Sequence, residues 1–156
     1  DKYENLMVLR TFSKWAGLAG LRVGYGLFPV GIADYLLRTK IPYNVNVAAL
    51  VAVKESLKDI DYLNDTVKAI VAERERLCEE LGKIEWLKPF PSQANFILCR
   101  VEKGGAKELR GKLQEKGILV RYFEESRLRD YVRISVGKPE HSDALLKAFG
   151  EIETTL

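Results

Sequence analysis

The chain has 156 residues, of which 47% are hydrophobic and 30% are charged, and its formal net charge is +3. This length and composition are typical of a soluble globular protein with a sizeable core, and they exclude a disordered chain. Acidic and basic residues alternate along the sequence instead of forming basic stripes, so nucleic acid is not expected as a partner.

The sequence gives little support for a membrane-spanning segment, a disulfide scaffold or a metal site. The longest nearly apolar run, residues 45–53, is much shorter than the roughly 20 residues that span a bilayer. Cys78 and Cys99 have no metal-ligand spacing and are expected to pack in the core, in a reducing compartment. The single histidine, His141, cannot build a histidine-cluster zinc site and is expected at the surface or capping a helix. A serine–histidine–acid site is excluded on the same ground.

The first third of the chain predicts two short strands that enclose a loop. Residues 5–12 and 21–29 are β-rich, and the loop between them holds Ser13, Lys14 and Gly17. A helix over 31–40 and a turn over 41–46 follow. The chain opens at Asp1 almost directly into the first strand, with no signal or transit segment, which is typical of a piece of a longer protein.

Helical periodicity begins near Val47 and ends at Gly82. One face of this helical segment carries the apolar residues Leu63, Val67, Ile70, Val71, Leu77, Cys78 and Leu81. Residues 85–93 contain two prolines and predict an irregular crossing, so we place a domain boundary just before them.

The remaining residues predict a compact α/β unit. Strands are expected over 94–101, 118–123 and 131–137, and helices over 105–117 and 138–152. The first of these helices directs Ala106, Leu109 and Leu113 inward and ends at Gly117. Glu124 and Glu125 are interpreted as solvated charge in a polar loop.

Lys14 is the residue in this sequence that is best suited to covalent chemistry. Its neighbours are expected to bury it partly, and a desolvated lysine amine is a nucleophile that condenses with carbonyls. Thr11, Ser13 and Arg22 could bind a phosphate through neutral and charge-assisted hydrogen bonds. An aldehyde that also carries a phosphate is pyridoxal phosphate. The alternative is an ordinary exposed loop lysine. The glycines near Arg22 do not match a dinucleotide-binding fingerprint, and there is no Walker loop.

The stretch TFSKWAGLAGLRVGY, residues 11–25, resembles the lysine signature of fold-type I pyridoxal-phosphate aminotransferases. The residues that match are Thr11, Ser13, Lys14, Arg22 and Gly24, whereas Trp15 is bulky where relatives often carry a small residue. Further similarity runs through PYNVNVAAL, ERERL, PSQANFIL, ILVRYF and YVRISVGKPEHSDALLKAF. Across essentially the whole chain this pattern is similar to the histidinol-phosphate aminotransferase family, most closely its plant members.

The resemblance implies a set of residue roles. Lys14 would form the Schiff base with pyridoxal 5'-phosphate and then move the substrate proton, while Thr11, Ser13 and Arg22 would hold the cofactor phosphate. Arg133 matches the arginine that binds the substrate carboxylate, and Arg121 matches one associated with the substrate phosphate. Asn95 is not assigned a role.

The implied reaction is reversible amino transfer between L-histidinol phosphate and 2-oxoglutarate, in histidine biosynthesis. Aminotransferases for aromatic amino acids and a phosphothreonine decarboxylase share much of the scaffold and remain alternatives. An alternative of another class is a non-catalytic interaction or dimerisation module.

The resemblance also predicts the domain organisation. Residues 1–45 would be the C-terminal part of the large cofactor-binding domain, 46–84 a connecting helical segment, and 85–156 the small α/β domain. Family members are more than twice as long, so the chain alone should have negligible turnover and should expose apolar surface in its first fifty residues. The full-length form would be a homodimer acting on small molecules, located in the plastid stroma if the source is a plant and otherwise in the cytoplasm.

Overall fold

The computed structural model describes residues 3–153; Asp1 and the last three residues of the predicted small domain lie outside the described residues. The chain divides into two compact units, one ending at Val67 and the other beginning at Lys68. This division falls within residues 46–84, the predicted connecting segment. The three-part domain organisation remains a prediction.

The first unit contains the two predicted strands, both shorter than the sequence indicates. Strand β1 (Val8–Thr11) pairs with antiparallel β2 (Gly24–Leu27), with Thr11 opposite Gly24. Gly24 is required there, because a Cβ at this position would lie 2.6 Å from the carbonyl oxygen of Arg10. Two helices follow near their predicted positions, α1 (Val30–Thr39) and α2 (Val47–Ser56).

The core of this unit is small and consists of Phe12, Val23 and Ala49. The bulky Trp15 packs against it, with its ring 5.7 Å from that of Phe12, so the departure from the family pattern is accommodated locally. Many large apolar side chains of the first fifty residues are exposed, which confirms the expected apolar surface. They include Leu6, Met7, Leu9, Leu27, Val30, Tyr35, Leu37, Ile41, Tyr43, Val47 and Leu50.

Helix α3 (Ile60–Leu81) ends one residue before Gly82, as predicted. Leu77 and Leu81 from its apolar stripe enter the core of the second unit. Val67 and Val71 on the same stripe stay more than a third exposed, so the buried face is narrower than the periodicity predicts.

The second unit is built on a four-stranded antiparallel sheet with strand order β3-β4-β6-β5. Its strands are β3 (Leu87–Pro89), β4 (Phe96–Val101), β5 (Arg121–Tyr122) and β6 (Tyr131–Ser135). The prediction of an irregular crossing over 85–93 is therefore partly wrong, because Leu87 pairs with Val101 and Pro89 with Cys99. Proline is tolerated in β3 because it is an edge strand.

Helices α4 (Ala106–Glu115) and α5 (Pro139–Glu153), together with α3, cover one face of this sheet. Ala106, Leu109 and Leu113 are buried there as predicted, and Gly117 follows α4 with a φ of 76°. Both cysteines are free; Cys99 is fully buried, and burial raises the pKa of its thiol to about 12. Among residues 3–153, no helix is both long and apolar enough to cross a membrane.

Polar contacts attach α3 to the start of α5. The guanidinium of Arg76 donates to both carboxylate oxygens of the buried Glu73, at 3.0 and 2.8 Å, and to the Pro139 carbonyl at 3.3 Å. It also pairs with Asp143 at 2.9 Å. The Nδ1 atom of His141 accepts the Lys138 N–H at 3.4 Å, which confirms the predicted capping role.

The Leu113→Ala variant should be destabilised by about 2–5 kcal/mol, because it leaves a cavity at a side chain that is fully buried in the second unit. Urea unfolding monitored by circular dichroism measures the change. Leu119→Ala is the matched control, since Leu119 is 79% exposed and should lose less than about 0.5 kcal/mol. Equal losses for the two variants would contradict the described core.

The Glu73→Gln variant tests the contact between α3 and α5. The pKa of Glu73 lies below its ordinary value, chiefly because Arg76 donates hydrogen bonds to it. A carboxyl group with a lowered folded-state pKa stabilises the fold above its unfolded pKa of about 4.3 and loses that contribution as the pH falls.

We therefore expect Glu73→Gln to cost about 1 kcal/mol near neutral pH, with a deficit that shrinks below about pH 4.3. Urea unfolding across a pH series measures this. The control is Glu75→Gln, which removes an ion pair to Arg74 from a side chain that is 68% exposed. A deficit that is independent of pH, or one matched by the control, would refute the assignment.

Candidate functional site

The loop between β1 and β2 is closed at its base by one backbone hydrogen bond. The Phe12 N–H donates to the Val23 carbonyl at 3.3 Å, directly beyond the last β1–β2 pair. Ser13 and Arg22 are the next residues on either side of this closure. The fold therefore places Thr11, Ser13, Lys14 and Arg22 at one end of the β1–β2 hairpin.

The two hydroxyl residues of this loop are hydrogen-bonded to each other. Thr11 Oγ1 donates to Ser13 Oγ at 2.8 Å, and the Ser13 N–H donates to Thr11 Oγ1 at 3.0 Å. This reciprocal contact fixes both hydroxyls where β1 ends. In this arrangement the Ser13 O–H can donate to an oxyanion, whereas the Thr11 O–H is used by Ser13 and would have to turn away from it to do so.

Lys14 lies in a tight turn that is held by hydrogen bonds to the carbonyl of Phe12. That carbonyl accepts the N–H groups of both Ala16 and Leu18, and Gly17 (φ 69°) donates its N–H to the Lys14 carbonyl at 3.2 Å. The side chain of Lys14 is exposed, so the expectation that neighbouring residues partly bury it is wrong for this unit. The loop is short and its apolar side chains turn toward the small core instead. Within the described part of the chain, no acidic group pairs with the Lys14 amine.

Arg22 adopts a left-handed backbone conformation, with φ 54° and ψ 47°. This conformation costs a residue with a side chain roughly 1–2 kcal/mol, so the surrounding contacts must hold it. One such contact is internal, since Arg22 Nη1 donates to the Ala19 carbonyl at 2.9 Å.

Asn46 supplies a second contact that the sequence analysis missed. Its Nδ2 donates to the carbonyl of Leu21, next to Arg22, at 3.3 Å, and its Oδ1 accepts the Ala49 N–H at 2.8 Å as the N-cap of α2. An asparagine directly before an apolar helical run is a capping signal, and it could have been read from the sequence. The hydrogen bond from Asn46 to the Leu21 carbonyl, 25 residues earlier in the chain, could not be read from the sequence.

In the second unit, Arg121 and Arg133 are directly opposite each other on the neighbouring strands β5 and β6. Because Val132 and Ile134 face the helices, the alternation of β6 places Arg133 on the other face of the sheet, and Arg121 shares that face. Neither guanidinium forms an ion pair with an acid among residues 3–153. Like charges opposite each other in a sheet are unfavourable, so this pair is suited to an anion.

Each of these arginines lies over an aromatic ring. The guanidinium carbon of Arg133 is 5.2 Å from the centre of the Phe96 ring, and that of Arg121 is 5.4 Å from the Phe123 ring. The Nε atom of Arg133 is buried and has no hydrogen-bond partner in the described structure. The neighbouring Asn95 is exposed, and its carbonyl accepts the Val136 N–H at 2.9 Å, which is a structural contact.

The two groups of residues lie in separate units, one with hydroxyl, amine and guanidinium donors and one with paired guanidinium groups. Both consist of anion-binding donors, with a primary amine in the first. In residues 3–153, no group of three or more His, Cys, Asp or Glu side chains is arranged to hold a metal ion. Glu124 and Glu125 are exposed, as predicted.

Curated relatives are similar to the chain along nearly its whole length. A histidinol-phosphate aminotransferase from Dehalococcoides mccartyi is 62% identical over 152 residues, which are 97% of this chain and 42% of that protein. A chloroplastic histidinol-phosphate aminotransferase from Nicotiana tabacum is 54% identical over 94% of this chain and 36% of that protein. The bacterial relative is thus more similar than the plant one, which corrects the expectation that plant members are closest. The chain spans about two fifths of the length of these relatives.

Solved structures show the same fold. The histidinol-phosphate aminotransferase of Clostridium acetobutylicum has a TM-score of 0.89 and 30% identity, covering 99% of this chain and 47% of that one. The histidinol-phosphate aminotransferase of Sinorhizobium meliloti, solved in complex with pyridoxal-5'-phosphate, has a TM-score of 0.83 and 29% identity, covering 99% of this chain and 42% of that one. An L-threonine-O-3-phosphate decarboxylase from Porphyromonas gingivalis has a TM-score of 0.86 and 25% identity, covering 99% of this chain and 48% of that one.

These neighbours confirm the predicted α/β fold class of the fold-type I pyridoxal-phosphate transferases. The family profile described as aminotransferase class I and II matches residues 1–149. The chain therefore belongs to the class I and II aminotransferase family.

Proposed function

We propose that this chain is the part of a pyridoxal-phosphate-dependent histidinol-phosphate aminotransferase that carries the reactive lysine and the substrate arginines. The reaction is reversible amino transfer between L-histidinol phosphate and 2-oxoglutarate. The observation that carries the proposal is the linked hydroxyl pair of Thr11 and Ser13 beside Lys14 and Arg22, at one end of the β1–β2 hairpin. It occurs in a chain 62% identical to a relative with that name.

The donors in the first unit fit pyridoxal 5'-phosphate. The Ser13 hydroxyl and the guanidinium of Arg22 would hold its phosphate, together with the Thr11 hydroxyl once this turns away from Ser13, and the exposed amine of Lys14 would hold its aldehyde group. When bound, this cofactor supplies an electron sink that stabilises a carbanion at the substrate α-carbon. In its free form, the Lys14 amine would be the base that takes the proton from that carbon and returns it.

The arginines of the second unit would bind the acidic groups of the substrates. Arg133 would accept a carboxylate in its planar fork, and Arg121, opposite on β5, would bind the phosphate of histidinol phosphate or the second carboxylate of glutamate. The pair has no acid partner in the described structure, and this favours anionic ligands, of which glutamate would supply two carboxylates and histidinol phosphate one phosphate.

The activity belongs to a longer protein, because the chain spans about two fifths of its curated relatives. Lys14 is exposed in this unit, so its amine is solvated and not held in a closed pocket, and this chain alone should turn over negligibly. The full-length form is proposed to be a homodimer that acts on small molecules. The plastid location remains tied to a plant source, since the Nicotiana tabacum relative is named chloroplastic and the more similar Dehalococcoides relative is not.

Two alternatives have specific support. Phosphothreonine decarboxylation is favoured by the Porphyromonas structure, but its 25% identity is far below the 62% of the Dehalococcoides relative. A non-catalytic interaction module is favoured by the exposed apolar side chains of the first fifty residues. Such a module would not need the linked Thr11–Ser13 hydroxyls beside Lys14.

We expect one covalent adduct when the chain is mixed with pyridoxal phosphate and reduced with borohydride, and we expect Lys14→Ala to abolish it. The physical reason is that the hydroxyl pair and Arg22 concentrate the phosphate next to this amine alone. Intact mass and peptide mapping measure the adduct. The matched control is Lys40→Ala, an exposed lysine of the same unit, which should leave labelling unchanged. Scattered labelling that is insensitive to Lys14→Ala would support the interaction module instead.

Arg22→Gln tests the phosphate contact. A charge-assisted hydrogen bond contributes about 1.5–3 kcal/mol, so the pyridoxal phosphate concentration for half-maximal labelling should rise about 10- to 100-fold. The same mass measurement, made as a concentration series, gives this midpoint. Arg38→Gln, in the last turn of α1, is the control and should leave it unchanged. Pyridoxal without phosphate should label both proteins equally, and a difference there would count against a phosphate role.

A further inference from the structure

We propose that Phe96 is a positioning residue for Arg133, and that its ring holds the guanidinium in place while leaving the in-plane N–H donors of that group for an anion. The identity of that anion, a carboxylate or a phosphate, rests on the proposed function. The positioning itself rests on contacts within the second unit alone.

The register of the sheet places Phe96 within reach of Arg133. Phe96 is paired with Ser135, and Leu98 is paired with Arg133, so Phe96 and Arg133 are diagonal neighbours on one face. Diagonal neighbours in antiparallel sheets are close enough for an aromatic ring and a long side chain to meet. The distance of 5.2 Å from the guanidinium carbon to the ring centre is within the range of a cation–π contact.

A ring stabilises a guanidinium in a different way from an acid. A carboxylate partner would occupy the N–H donors, whereas an aromatic face attracts the cation from above the plane and leaves those donors free. The Nε atom of Arg133 fits this description, because it is buried yet has no hydrogen-bond partner in the described structure. A buried donor without a partner is unfavourable unless a ligand satisfies it.

Arg121 has the same arrangement. Its guanidinium lies 5.4 Å from the ring of Phe123, two residues along the chain. The two arginines are direct cross-strand partners, so both members of a like-charged pair lie over aromatic rings and neither has an acid partner among residues 3–153. The repetition indicates that the rings keep a doubly cationic site assembled before any anion binds.

The test uses the 156-residue chain with ¹⁵N-labelled arginine and follows the Arg Nε–H signals by NMR. Arg133→Lys assigns the signal of Arg133. We compare the wild type with Phe96→Leu, which removes the ring, and with Phe96→Tyr, which keeps it. Phe90→Leu is the matched control, because it removes a ring that packs on Tyr131 instead. Acetate and inorganic phosphate are the probes, and no cofactor is present.

In the wild type and Phe96→Tyr, we expect an ordered Nε–H of Arg133 whose signal shifts on titration with one of the probes. In Phe96→Leu, the order should fall and the titration midpoint should rise about two- to fivefold, while Phe90→Leu behaves as the wild type. An unchanged Phe96→Leu, a Phe96→Tyr that behaves like Phe96→Leu, or a wild type that no probe shifts would overturn the proposal.

If Phe96→Leu does not fold, Phe123→Leu with the Arg121 signal as readout applies the same criteria to the repeated arrangement. The readout does not depend on cofactor binding or turnover. Failure of Lys14 labelling would therefore count against the proposed function and leave the positioning role of Phe96 standing.

Discussion

The alternation of side chains along β6 is the constraint on which the second unit depends. Val132 and Ile134 enter the core beneath the helices, so Arg133 between them must face the other way. Register then sets its neighbours, with Leu98 opposite on β4 and Arg121 opposite on β5. The hydrophobic burial that stabilises this unit is thus also what pairs two guanidinium groups on one surface.

In the first unit, a single backbone closure has a comparable role. The Phe12 N–H donates to the Val23 carbonyl, and the Phe12 carbonyl accepts the two N–H groups that close the turn around Lys14. The Phe12 ring belongs to the small core. The loop that carries Lys14 is therefore attached to a buried aromatic residue at its base. At the other end of the loop, Asn46 donates a hydrogen bond to the carbonyl of Leu21, the residue before Arg22. These contacts order the backbone of the loop but do not cover its lysine.

Much of the fold could be predicted from the sequence, because most elements have strong local signals. The α4 face of Ala106, Leu109 and Leu113 and the stop at Gly117 follow from helical period and glycine chemistry. Strand β3 was missed because Pro89 at its end and Pro91 just beyond it favour irregular structure, and only its pairing with β4 makes it a strand.

Thr11, Ser13, Lys14 and Arg22 were found from the residues of the loop, and Arg121 and Arg133 from the family resemblance, but their contacts could not be predicted. No sequence pattern specifies that Asn46 binds a carbonyl 25 residues earlier, or that Phe96 lies diagonally from Arg133. Both depend on the return path of the chain and on strand register. The same holds for the exposure of Lys14, since apolar neighbours in sequence bury a side chain only if the fold turns them toward it.

The exposure of Lys14 and the apolar surface of the first unit have one common explanation. A lysine amine is most nucleophilic when water is excluded from it, and this unit leaves the Lys14 side chain in solvent. The same unit exposes apolar side chains such as Leu9 and Leu27 on the two strands that carry the loop. The curated relatives have more than half of their length outside the matched region. Any further chain that packs on β1 and β2 would cover these apolar side chains and exclude water from the Lys14 amine in one step, so that burial of the two strands and desolvation of the amine would be a single event.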